Sequence, residues 1–204
     1  MKSKLWIAMT ICMLIINICL ITLGVSYLKS TKSTIKALYS TAEDYTTLHT
    51  SLSYSIQNDG RNVSDINLFD IQGNEIKIVD ILNNKGSVVI CRLSDRYCNT
   101  CVKNAISVFT GALSESDTNH VVFFAETTNS KTLRMFVNEY GIEQYKVFNV
   151  HQFHTIAEQA TFPYFFVVDS SCHILSTYFP SKTTRSLDSS FVKKLLKRVN
   201  KFYE

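Results

Sequence analysis

Three short runs constrain the fold most: Val88–Leu93 (VVICRL), His120–Ala125 (HVVFFA) and Tyr164–Val168 (YFFVV). Strands with one wet face alternate apolar and polar residues, whereas these, Arg92 and the leading His120 apart, are apolar on both faces, as central strands of a covered sheet must be. Helical spacing fills the intervals between them. Thr100–Leu113 reads as a helix, and so does Lys131–Tyr140, with Leu133, Phe136 and Val137 on one side and Gly141 as its stop. Lys146–Val150 is expected as a short strand, Thr155–Ala160 as a single turn, and Ile174–Phe179 as a strand paired with Tyr164–Val168 across a turn at Asp169–Cys172. Ser190–Tyr203 closes the chain as an amphipathic helix. Upstream, two alternating runs, Ile66–Leu68 and Glu75–Val79, flank Gln72-Gly73-Asn74 and predict a hairpin. The order predicts an α/β sandwich with a central mixed sheet flanked by helices. No glycine-rich phosphate loop of either common kind occurs.

The N-terminus obeys different physics. From Leu5 to Val25 the chain carries no charge, and only Thr10, Asn17 and Thr22 interrupt it. As a helix, such a run spans about 30 Å of hydrocarbon. Gly24 and Ser26 are small residues at the −3 and −1 positions of a signal-peptidase site. The run nevertheless exceeds the ~7–15 apolar residues of a signal peptide, so residues 1–28 are expected to be a retained anchor rather than a cleaved signal. Lysines on both sides leave the orientation undetermined by charge. Residues 29–62 are polar and Ser/Thr-rich, with Ile35, Leu38, Tyr45, Leu48, Leu52 and Ile56 at roughly helical spacing; a helical stalk is expected, ending at Asn58-Asp59-Gly60, in preference to a short coiled-coil dimerisation seam, for which the heptads are few. The compact domain is then residues 63–204. A net charge of +4 spread along the chain supplies no concentrated basic stripe, so no nucleic-acid partner is expected.

The chemistry gathers at Cys98-Asn99-Thr100-Cys101, between a buried strand and a helix. The unpaired N–H groups at a helix start carry partial positive charge and favour a thiolate at the first cysteine; the second lies one turn away, able to resolve a mixed disulfide. Arg92, Arg96 and Lys103 are further cations that could lower the thiol pKa. His151 and His154 form an H-x-x-H pair, with His120 and His173 elsewhere, but the distance from Cys98 is not zinc-finger spacing and loop histidines are expected, with no metal. Cys91 reads as a buried thiol. Cys172, at a hairpin tip, reads either as an exposed thiol or as half of a disulfide.

The segment LFDIQGNEIKIVDILNNKGSVVICRLSDRYCNTC resembles the opening of bacterial thioredoxin-like proteins of the redoxin type, among them membrane-anchored thiol-disulfide oxidoreductases that work outside the cytoplasmic membrane. The resemblance covers residues 63–204. It rests on the hairpin with a central glycine, on Cys98-x-x-Cys101 at the strand end, and on Phe162-Pro163 just before Tyr164–Val168. It implies a thioredoxin-like fold and Cys98 and Cys101 as the redox pair. It also implies a cis Pro163 facing them, with Tyr97 and Phe162 beside the substrate. It implies no cofactor, protein thiols or disulfides as substrates, a membrane or soluble redox partner, and a domain in the bacterial periplasm tethered through residues 5–25. Three departures stand out: Asn99-Thr100 lacks the family's proline, Arg92 replaces the buried acid six residues before the first cysteine, and Asp95 stands where peroxiredoxins have Thr or Ser. The alternative is a non-enzymatic thioredoxin-fold binding or assembly module whose disulfide is structural.

Overall fold

A computed structural model describes residues 2–82, 86–151, 153–180 and 185–201. The chain folds as two compact units, Met1–Thr46 and Thr47–Glu204. A single helix, α1 (Lys2–Asn58), accounts for the first and enters the second. Within it, Met13–Tyr39 is long and apolar enough to cross a membrane.

In the second unit the strands β1 (Asn67–Phe69), β2 (Glu75–Lys77), β3 (Ser87–Ser94), β4 (Val121–Glu126), β5 (Lys146–Asn149), β6 (Tyr164–Asp169) and β7 (Ile174–Tyr178) form one sheet of order β2-β1-β5-β4-β3-β6-β7. Strands β3, β4 and β5 run parallel; β6, β7 and the β1–β2 hairpin run antiparallel to their neighbours. The three apolar runs are the middle of the sheet, and every residue of β3 is buried. Alternation along β3 separates two cores. Val89, Cys91 and Leu93 meet helices α3 (Asn99–Thr110), α4 (Ser130–Tyr140) and α5 (Arg185–Lys201) on one face. Val88 and Ile90 meet α2 (Ile78–Leu82), Phe153 and the 3-10 helix Ile156–Ala160 on the other. Phe109 anchors the first core, edge-on to Phe123 at 5.4 Å and stacked on Phe165 at 4.9 Å.

Two elements depart from the sequence expectation. The second hairpin run leaves the sheet after Lys77 and coils into α2, because Ile78, Ile81 and Leu82 have the i, i+3, i+4 spacing that buries one helix face. The terminal helix starts earlier, at Arg185; Phe202 and Tyr203, assigned to it from sequence, lie outside the described residues. The hairpin itself forms as expected, with Leu68 opposite Ile76. Its loop is held by the Asp70 carboxylate, which accepts the amides of Gln72 and Asn74 at 2.8 and 2.9 Å, and Gly73 occupies φ +93°, where a side chain would be strained. The last turns of α1 belong to this unit: the Tyr54 ring packs on Phe179 at 5.8 Å, and Asn58, fully buried, accepts the amide of Ile156.

Candidate redox site

Because β3, β4 and β5 are parallel, their C-terminal ends share one edge of the sheet, and the candidate residues collect there. β3 ends at Ser94. Its hydroxyl accepts the Arg96 amide, its carbonyl accepts the Tyr97 amide, and the Asp95 amide donates to the Glu126 carbonyl at the end of β4. This pinned turn delivers Cys98 to the first position before α3. There the Cys98 carbonyl accepts the amides of Cys101 and Val102, and the Cys98 sulfur accepts the Cys101 amide at 3.1 Å. Cys98 and Cys101 are joined as a disulfide, with Cα atoms 5.1 Å apart. No acidic residue lies in the first turn of α3, so nothing there opposes the partial positive charge presented to a Cys98 thiolate. Cys98 is exposed and Cys101 half-buried, the arrangement an attacking and a resolving thiol require. Asn99, the first residue between the two cysteines, accepts a hydrogen bond from the Tyr140 hydroxyl of α4 at 3.3 Å.

Pro163 is buried and opens β6, whose Tyr164 pairs with Arg92 of β3, so it lies at the same sheet edge as the cysteines. Phe162 beside it is 54% exposed, an unusual state for a large ring. Tyr97 is half-buried against the core that α3 covers. The expected cis bond is not found: the described chain has no cis peptide, and Phe162–Pro163 adopts the trans form that X-Pro bonds ordinarily favour.

Behind the cysteines lies a charged network. Arg92, fully buried, donates two hydrogen bonds to Glu158, Nε to Oε1 at 2.8 Å and Nη2 to Oε2 at 2.7 Å. It reaches Glu126 at 3.2 Å and places its guanidinium 5.6 Å from the Phe153 ring centre. Arg96 binds the other oxygen of Glu126. The Tyr164 hydroxyl donates to Glu158 at 2.6 Å and lies 3.1 Å from that of Thr155. Burial alone would push the Arg92 pKa down, but the Glu158 hydrogen bonds and charge outweigh it and raise it, so the guanidinium stays charged. Burial, reinforced by Glu158, lifts the Tyr97 and Tyr164 phenols above their ordinary range. Both arginines are engaged by carboxylates: Arg92 by Glu158 and Glu126, since a buried guanidinium without a counter-charge would be prohibitively costly, and the exposed Arg96 by Glu126. Arg92 within an apolar strand signalled that acids must converge on it. Which acids could not be read, since Glu126 and Glu158 stand 34 and 66 residues away in sequence.

The remaining candidates lie elsewhere. Cys172 is buried and unpaired, so neither an exposed thiol nor a disulfide describes it: from the tight turn between β6 and β7, at φ +62°, its side chain joins the second core. Burial, then the charge of Asp169, raises its pKa, and burial raises that of Cys91. His151 packs on Phe69 at 5.5 Å, and the His173 ring lies 3.4 Å from the Asn62 amide. Among the described residues no three His, Cys, Asp or Glu side chains converge as metal ligands would.

No protein-family model matches the chain, and no curated protein matches it. Solved structures do. A protein of Chlorobium tepidum provisionally described as the thiol:disulfide interchange protein DsbE superposes with a TM-score of 0.52 at 13% identity, over 69% of this chain and 97% of its own. The peroxidoxin BcpB of Mycobacterium tuberculosis gives 0.48 at 16% identity, over 70% and 97%. A thiol:disulfide interchange protein from Bacteroides sp. gives 0.45 at 12%, over 66% and 90%. The first of these likenesses establishes the fold, which is thioredoxin-like.

Proposed function

We propose that this thioredoxin-fold chain is a membrane-tethered thiol-disulfide oxidoreductase that reduces or exchanges disulfides in extracytoplasmic proteins. The observation that carries the reading is the placement of Cys98 at the start of α3: exposed, with its sulfur accepting the Cys101 amide, and bonded to Cys101. In the reducing direction, the Cys98 thiolate attacks one sulfur of a substrate disulfide, and the other substrate sulfur leaves as a thiolate. Cys101 then loses its proton and attacks Cys98, releasing the second substrate thiol and closing the Cys98–Cys101 bond. Two electrons pass to the substrate, and a redox partner restores the dithiol. Pro163 and Phe162 present the substrate backbone, and Tyr97 lines the same edge. The apolar stretch of α1 supports the tether; placing the domain on the periplasmic side follows from the resemblance to membrane-anchored oxidoreductases.

Replacing Cys101 by Ser is expected to accumulate mixed disulfides through Cys98, visible as reductant-sensitive adducts of the full chain, and Cys98→Ser is expected to abolish them. Absence of adducts in a correctly exported Cys101→Ser protein rejects the reading. The alternative, an assembly module with a structural disulfide, draws support from Arg92 in the place of an acid. It requires the pair to stay oxidised in cells under every redox condition, which alkylation trapping measures directly.

A further inference from the structure

Helix α1 exposes large apolar side chains in a pattern that nothing in the thioredoxin-like domain explains. Leu28, Ile35, Leu38 and Tyr45 are 68%, 47%, 65% and 70% exposed. With Thr31 and Ala42 they alternate at three and four residues (28, 31, 35, 38, 42, 45), which is the heptad seam of a two-stranded coiled coil. Lys29, Ser30, Ser33 and Lys36 fall on the outer positions. The same phase runs back through Leu14, Asn17, Ile21 and Gly24 into the uncharged stretch. There Asn17 donates its amide N–H to the Met13 carbonyl, and its side-chain oxygen has no partner among the described residues. In hydrocarbon an unanswered amide oxygen is costly, and the same asparagine of a second copy at the same depth supplies the missing donor.

We propose that residues 14–45 form a parallel two-stranded coiled coil with a second copy of this chain. The parallel sense and the role of Asn17 rest on the tether reading; the seam from Leu28 onward does not. A bilayer is a poorer occupant from Leu28 onward: although the apolar stretch reaches Tyr39, Lys29, Lys32 and Lys36 place a charge on every turn there, which hydrocarbon does not tolerate. The area is sufficient. Leu28, Ile35, Leu38 and Tyr45, with the flanking Tyr27 and Tyr39, remove on the order of 100 Å² each. That is roughly 600 Å² per helix, near the ~800 Å² per partner of a standard interface, before any contact along residues 14–24 is counted.

The test places single cysteines in the full chain in its membrane, in a Cys12→Ser, Cys19→Ser background, and oxidises them. Ile35→Cys and Leu38→Cys are expected to give a disulfide-linked species of twice the chain mass, several-fold more than Ser33→Cys and Lys36→Cys, with the background protein as baseline. Asn17→Leu is expected to reduce the Leu38→Cys product. Equal products at all four positions, none above baseline, or a product of some other mass overturns the second-copy seam. Alkaline carbonate extraction of the same membranes separates the two readings. If the chain is released the tether fails, while the cysteine pattern at 33–38 still judges the seam; if it is retained, a failed pattern counts against the seam alone.

Discussion

Glu158→Ala should destabilise the domain far more than its partial exposure suggests. Glu158 accepts both strong hydrogen bonds from a guanidinium with no solvent access, and it also accepts the Tyr164 hydroxyl. Breaking one side of a buried ion pair typically costs about 3–5 kcal/mol, because the other charge is stranded. Glu126 remains 3.2 Å from Arg92 and softens the loss, whereas the orphaned Tyr164 hydroxyl adds to it. The expected net is roughly 3–4 kcal/mol, or about 10 °C in melting temperature for a domain of this size. Near-ultraviolet circular dichroism of the full chain in detergent reads this from the Phe and Tyr signals; the far-ultraviolet signal would be dominated by the 57-residue α1. The companion variant Arg92→Met/Glu158→Leu should recover most of the loss, since removing both charges avoids stranding either. A shift of only a degree or two for Glu158→Ala, or a double variant worse than the single, refutes the account.

Other expectations follow from the same geometry. After reduction, iodoacetamide should label Cys98 first, while Cys91 and Cys172, buried with raised pKa values, resist labelling until the domain unfolds; prompt labelling of Cys172 would refute its placement. Tyr97 and Tyr164 have raised phenol pKa values, so the stability they contribute is full below the ordinary phenol range. It is lost as pH climbs beyond that range, where the unfolded chain releases protons the folded chain keeps. Spectrophotometric alkaline titration should show these two ionising only with unfolding, whereas Tyr97→Phe should delay the alkaline loss. Phe109→Ala should cost about 3–5 kcal/mol through the cavity it opens against Phe123 and Phe165, measured by thermal melting.

Much of the architecture was legible because its signals are local. A run such as YFFVV can be satisfied only where both faces are covered, and α4 is bounded by Asn129 capping the Thr132 amide and by Gly141 at φ +64°. Where two local signals competed, as at Ile78–Leu82, helical spacing won over strand alternation. The placement of the cysteine pair was legible for the same reason, since it depends on a strand end, a helix start and a spacing of three.

The chain by itself determined the covered central strands, the uncharged N-terminal run and the position of Cys98 and Cys101 between β3 and α3. Tertiary structure alone decided which acids neutralise Arg92, that Asn99 is held by Tyr140, and that Cys172 is buried rather than available. The physical reason is range. Periodicity and capping act over a few residues and are written in order along the chain. A buried charge requires a counter-charge without specifying where in the sequence it comes from, and only the sheet's topology brings Glu126 and Glu158 to the same guanidinium.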